Sequence, residues 1–302
     1  MQKFFSNEKG QSIVLVVIML VVLVGLAGLV IDGGRLYLAK SQLQKAVDAG
    51  ALAGADMMVE GMTTNNTYNY SGSKDKAEKL AHTNYTNSKI SYLATFPDES
   101  NVIKVDGEEK VSLLLMSILG LDLSTVKAEA QAKIGQLNRV GEGLVVPIGI
   151  ELNQELTYGS TWELNDQPGS GVNGWYNFLD FSHIDPTPPN SGNSALADYI
   201  IEGSPSPIEI GDTLHVQEGE GSVSNNVQKA VEFREGQIVY VPVVEPIDDE
   251  NKLVKVIGFA AFKITGEYSG HAIEGEFIQL VTPGEIGDNT SEYGTYTSKL
   301  IK

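Results

Sequence analysis

Ser182, His183 and Asp185 stand within four positions of one another and hold the nucleophile, base and acid of a hydrolytic triad. Triads are assembled from distant segments that a fold brings together, so this local cluster reads as loop polarity. The string Gly169-Ser170-Gly171-Val172-Asn173-Gly174 fits G-x-G-x-x-G. A dinucleotide site needs that string between a strand and a helix, whereas Pro168 precedes it and an aromatic stretch follows. It reads as a glycine-rich loop. Asp248-Asp249-Glu250 gathers carboxylates but lacks EF-hand spacing, and reads as a solvated turn. The histidines, His82, His183, His215 and His271, are far apart, and there is no H-E-x-x-H, P-loop or G-x-S-x-G. Cysteine is absent, which excludes disulfides, thiolate metal sites and cysteine nucleophiles. The expectation is a non-enzyme with no catalytic, metal or cofactor-binding residues and no cofactor.

The elements that organise the chain lie at its N-terminal end. From Ile13 to Ile31 there are nineteen residues with no charge, the length an α-helix needs to cross a bilayer core of roughly 30 Å. The run ends in Asp32-Gly33-Gly34-Arg35 without a small-x-small site, which favours an uncleaved anchor. Beyond it the helical pattern continues to about residue 60. Leu36, Leu43, Gly50 and Met57 recur every seven residues, with Ala39, Ala46 and Ala53 between them, an a/d seam of very small side chains. Ala39, Ala46, Gly50, Ala53 and Gly54 are candidate helix-packing residues. The backbone they admit belongs either to this chain or to a partner helix.

The order Gly10-Gln11, apolar span, Asp32-Gly33-Gly34-Arg35-x-Tyr37, then Leu43-Gln44-x-Ala46-x-Asp48-Ala49-x-Ala51-Leu52-Ala53 resembles the N-terminal segment of TadE/TadG-like Flp (tight adherence) pilus-assembly proteins of bacteria. The resemblance covers roughly the first 55 residues, and more loosely Pro147 to Ile150 and beyond. It implies a single-pass cell-membrane protein with its N-terminus cytoplasmic and everything after Asp32 extracytoplasmic. It also implies other pilus-assembly membrane proteins, and the lipid bilayer, as partners. Two departures stand out. Leu15 occupies the position where processed pilins carry Glu, and Asp122-Leu123-Ser124-Thr125-Val126 lacks the last Ser of a von Willebrand A metal motif. Neither prepilin cleavage nor such a domain is expected.

The net charge of −18 is unevenly placed, with seven basic and twenty-five acidic residues from 141 onward. Nucleic acid and anionic lipid repel such a segment, so no nucleic-acid partner is expected. Lys and Arg flank both ends of the span and leave its orientation to the resemblance.

After the long helix, 61–73 reads as a polar loop and 74–89 as a helix. Val102 to Val105 reads as a strand before an Asp106-Gly107 turn. Leu113 to Leu119 is an apolar turn or helix stopped by Gly120. Thr125 to Ile134 alternates as a strand, with residues 136–143 as a connector. Further strands are expected at 157–164, 208–216, 238–244, 252–264 (bent near Gly258) and 272–281. Helices are expected at 194–202 and 223–233, an aromatic loop at 168–190 and a frayed tail at 283–302. The fold class is α+β: a transmembrane helix continuing into a long pilin-like helix, a small α/β piece, and a β-rich barrel or sandwich. The divisions are 1–12 (cytoplasmic tail), 13–31 (span), 32–60 (extended helix), 61–140 (small α/β region) and 141–302 (acidic β-rich domain). The reading is a non-enzymatic scaffold of Flp/Tad pilus assembly or associated secretion. Its rivals are a membrane-tethered hydrolase and a surface adhesin or minor pilin.

Overall fold

The computed structural model describes residues 8–60, 62, 67–97, 101–152, 155–165, 174–188, 193–217, 225–248, 252–266, 268, 272–287 and 293–301. The architecture is mixed α+β: a long apolar helix, a small helix, and a β-rich part with a curled sheet. The chain divides into two compact units, 1–54 with 74–132 and 300–302, and 55–73 with 133–299.

The first unit is built on α1 (Glu8–Val59), a single helix of 52 residues. It passes through Gly33-Gly34 without a break. Each glycine costs about 1 kcal/mol relative to alanine, but several turns on either side propagate through the pair. Next comes α2 (Tyr70–Asn84), which starts four residues before the helix read from the sequence. Asn69 accounts for the early start, because its Oδ1 accepts the N–H of Gly72 at 3.0 Å and caps the first turn. The helix also stops at Asn84, five residues short of the expected end, and is followed by β1 (Ile90–Thr95), a strand not read from the sequence.

β1 pairs antiparallel with β2 (Val102–Ser112). The expected Asp106-Gly107 turn is overturned: β2 runs straight through it, with Gly107 opposite Tyr92. A Cβ at Gly107 would lie 2.9 Å from Val47 Cγ1 and 3.1 Å from Leu43 Cδ1. The glycine therefore serves the close approach of α1. A short 3-10 helix, Met116–Leu119, ends at Gly120 with φ +82°. β3 (Leu123–Val140) follows, and Ala128, Ala130, Ala132 and Ile134 are buried on one face as the alternation predicts. It absorbs the first part of the expected connector, since Gln136 to Val140 are still strand.

The second unit contains β4 (Ile148–Leu152), β5 (Thr161–Asn165), β6 (Gly174–Asp180), α3 (Asn193–Glu202), β7 (Ile208–Glu209), β8 (Thr213–Val216), α4 (Asn225–Phe233), β9 (Ile238–Asp248), β10 (Leu253–Ile264), β11 (Ala272–Ile278), β12 (Leu280–Val281), β13 (Glu285–Ile286) and β14 (Thr295–Leu300). One sheet has the order β11-β5-β6-β4-β9-β10-β8, and β10 also pairs with β11 and β6 with β8. Those extra pairings curl the sheet toward a barrel. The predicted bend near Gly258 is a register shift between Val256 and Gly258. Trp162, Tyr176, Val241, Phe262 and Phe277 fill the core, closed by Leu196 and Ile200 of α3 and Val227 and Val231 of α4.

Two further expectations are corrected here. The aromatic stretch is not all loop, because β6 carries Tyr176 into the core and Phe181 is fully buried. The tail is not frayed. β14 pairs parallel with β12, Tyr296 is buried, and Thr295 Oγ1 donates to the Phe259 carbonyl at 2.6 Å.

Candidate functional site

The motif residues of α1 fall into three groups. At its N-terminal end, Gly10 and Gln11 lie in the first turns of the helix. Asp32 is almost fully buried although it follows the apolar run directly. Its Oδ1 accepts the N–H of Leu114 at 2.8 Å, and its Oδ2 accepts those of Leu115 at 3.0 Å and Met116 at 2.8 Å. One carboxylate thus satisfies three backbone donors leading into the 3-10 helix, and charge-assisted bonds of this kind are the strong ones. One turn earlier, a Cβ at Gly28 would lie 2.9 Å from Leu115 Cβ, so the same loop rests directly on the helix backbone. Gly33 and Gly34 have open space beside them. Arg35 Nη1 is buried without a hydrogen-bond acceptor among the described residues, and Tyr37 is 79% exposed.

In the middle of the motif, Leu43 and Ala46 are fully buried and Ala39 nearly so. Gln44 Nε2 donates to the Glu129 carbonyl and to Asp48 Oδ1, each at 2.8 Å. Lys40 Nζ donates to the Lys127 carbonyl. These side chains reach the backbone of β3, whose alanine face leaves room for a helix. At the C-terminal end, a Cβ at Gly50 would lie 2.8 Å from the Ala77 carbonyl oxygen and 3.1 Å from Ala81 Cβ. Gly50 is therefore a contact with α2 of the same chain. Ala51 and Gly54 are buried, and Leu52 and Ala53 are half-buried.

Sequence reasoning missed the partner of Asp32. The available signal was the stretch Leu113 to Leu121, nine residues without a charge.

Ser182, His183 and Asp185 make their side-chain or backbone contacts with other residues. Asp185 Oδ2 accepts the Tyr199 hydroxyl at 2.8 Å, and burial first, then this bond, pushes the Tyr199 pKa upward. His183 faces Asp180 at 3.4 Å and stacks on His215 with ring centroids 3.9 Å apart, a pairing invisible in the sequence. Residues 169–173, 249–250 and His271 lie outside the described residues. Among the described residues, no three His, Cys, Asp or Glu are placed to hold a metal ion.

Together these features define an α+β protein built on a long helix whose apolar first half is uncovered. By length and composition that helix is able to cross a membrane. Residues 10–57 match the family model described as putative Flp pilus-assembly TadE/G-like, and the match supports a part in Flp pilus assembly. No curated protein and no solved structure matches the chain.

Proposed function

We propose that the protein is a single-pass, membrane-anchored scaffold of Flp/Tad-type pilus assembly or associated secretion. Residues 1–12 are cytoplasmic, Ile13 to Ile31 cross the bilayer, and the rest is extracytoplasmic. The observation that carries this reading is the coincidence of the family match over 10–57 with an unbroken helix whose side chains from Ile13 to Ile31 are mostly exposed. Apolar side chains so exposed over a full span need a non-aqueous surrounding.

The scaffold is not an enzyme. In support, the one local Ser-His-Asp set has its Asp185 hydrogen-bonded to Tyr199. Its partners are other membrane components of the pilus machinery. They engage the exposed stretch of α1 rather than its inner face, which α2, β2 and β3 already occupy.

The test is alkaline carbonate extraction of membranes, protease treatment of intact protoplasts, and crosslinking with identification of partners. The expected result is protein in the pellet, digestion of the part after Asp32, and pilus-assembly proteins among the crosslinks. Extraction into the supernatant or full protection from protease would refute the reading.

A further inference from the structure

We propose that the uncharged loop Leu113 to Leu121 is a second membrane-seated element, entering the leaflet at the Asp32 end of the span. The proposal rests on the reading that Ile13 to Ile31 crosses the bilayer.

The first support is position. The nineteen-residue run is about 28 Å long at 1.5 Å per residue, barely the thickness of a hydrocarbon core of roughly 30 Å. The run's end is therefore the core's edge. Leu115 touches α1 at Gly28, three residues inside that edge, or about 4–5 Å. Asp32, at the edge itself, holds Leu114, Leu115 and Met116 there. Interfacial elements bury their apolar faces to about 5–10 Å.

The second support is surface. Ile118 is 73% exposed, Leu114 57% and Leu121 51%. Leu115 ties this loop to the exposed apolar run, since it touches α1 at Gly28, so the surrounding proposed for the span reaches these side chains as well.

The third support is the backbone. A loop in lipid must satisfy its own polar groups, because the bilayer core offers no water. Here seven N–H groups have acceptors within the chain. Leu114, Leu115 and Met116 donate to Asp32. Leu113 donates to the Asp122 carbonyl, Ile118 to Leu115, Gly120 to Ser117 and Leu121 to Met116. The Ser117 hydroxyl donates to the Leu114 carbonyl at 2.7 Å. A protein partner would supply acceptors of its own, whereas an acyl chain supplies none, so this self-sufficiency fits lipid as the occupant.

The chain has no cysteine, so single cysteines report single positions. Full-length protein carrying Ile118→Cys, Val22→Cys or Leu93→Cys is labelled with a polarity-sensitive dye. It is then reconstituted in phosphatidylcholine vesicles with or without nitroxide-labelled acyl chains. Leu93 is the aqueous control, because it lines a groove with Lys40, nine residues or about 13 Å beyond the edge. The expected result is a blue shift and nitroxide quenching at Val22 and Ile118, with neither at Leu93. Quenching at Val22 with an Ile118 label that behaves like Leu93 overturns the proposal and leaves the span standing. A blue-shifted but unquenched Ile118 label also overturns it, since protein would then cover the loop. An unquenched Val22 label removes the span reading, and the proposal with it.

Discussion

Gly50 faces the carbonyl oxygen of Ala77 so closely that an added Cβ would sit 2.8 Å from it. Backbone does not yield as a flexible side chain does, so the contact requires glycine. Gly50→Leu should destabilise the first unit by about 1–3 kcal/mol, the usual cost of overpacking. Gly33→Ala meets open space and should be neutral or stabilising by up to about 1 kcal/mol. Denaturant unfolding of the detergent-solubilised protein checks both, and an unchanged midpoint for Gly50→Leu would mean that α1 and α2 do not pack this way.

Asp32→Asn should release the loop that Asp32 holds. The carboxylate accepts three N–H bonds, and an amide would turn its NH2 group toward one of the donors. Bonds to a charged group contribute roughly 1.5–3 kcal/mol each, so conservative size does not rescue the variant. Hydrogen exchange should lose protection at Leu114, Leu115 and Met116 while Ala130 and Ile134 keep theirs.

A pH dependence is expected on the alkaline side. The Tyr92 hydroxyl donates to the Tyr85 carbonyl at 2.7 Å. Burial, with smaller contributions from Tyr85 and Glu109, raises its pKa from 10.0 to about 12. The folded chain then holds that proton more tightly than the unfolded one. The resulting stability is complete below the unfolded value and is lost as pH rises from about 10 to about 12. Tyr85 is shifted in the same direction, by burial first and then by Glu109. Urea unfolding across that window should show the loss, and Tyr92→Phe should make the decline shallower. An equally steep decline in the variant would remove Tyr92 as its source.

Deleting residues 293–302 should collapse the second unit rather than trim it. The segment contains β14, buried Tyr296 and the Thr295 bond to Phe259. Losing a paired strand and a buried aromatic costs several kcal/mol, because truncating a buried aromatic alone costs about 3–5 kcal/mol. Circular dichroism and limited proteolysis check this, and a wild-type melting curve would show the strand to be dispensable.

Local pattern was enough for the long helix, for the alternation that buries Ala128, Ala130 and Ala132, and for the bend at Gly258. Each of these is written in neighbours a few residues apart. Pairings over long sequence separations were not legible. Asp32 meets a loop eighty-two residues downstream, so its motif position showed that it mattered and not what it touched. Asp106-Gly107 carries turn residues, yet β1 and the close approach of α1 hold it extended. The strand Thr295 to Leu300 looks polar enough for a tail and is a strand because β12 offers it an edge. Gly50 was recognisable as a point of close approach, and only the fold identifies α2 as the backbone that comes close.

The unbroken passage of α1 through Gly33-Gly34 also sets a phase. A continuous helix turns about 100° for each residue, so the proposed span and the unit built on the outer half of α1 keep a fixed azimuth. One residue inserted after Val24 would rotate the inner half of the span by that angle against everything beyond it, with no joint to absorb the error. Seven inserted residues would bring the two faces back to within about 20°, at the expense of roughly 10 Å of extra length. A protein placed as proposed, with one face toward neighbours in the bilayer and another outside it, has both directions registered by a single helical screw.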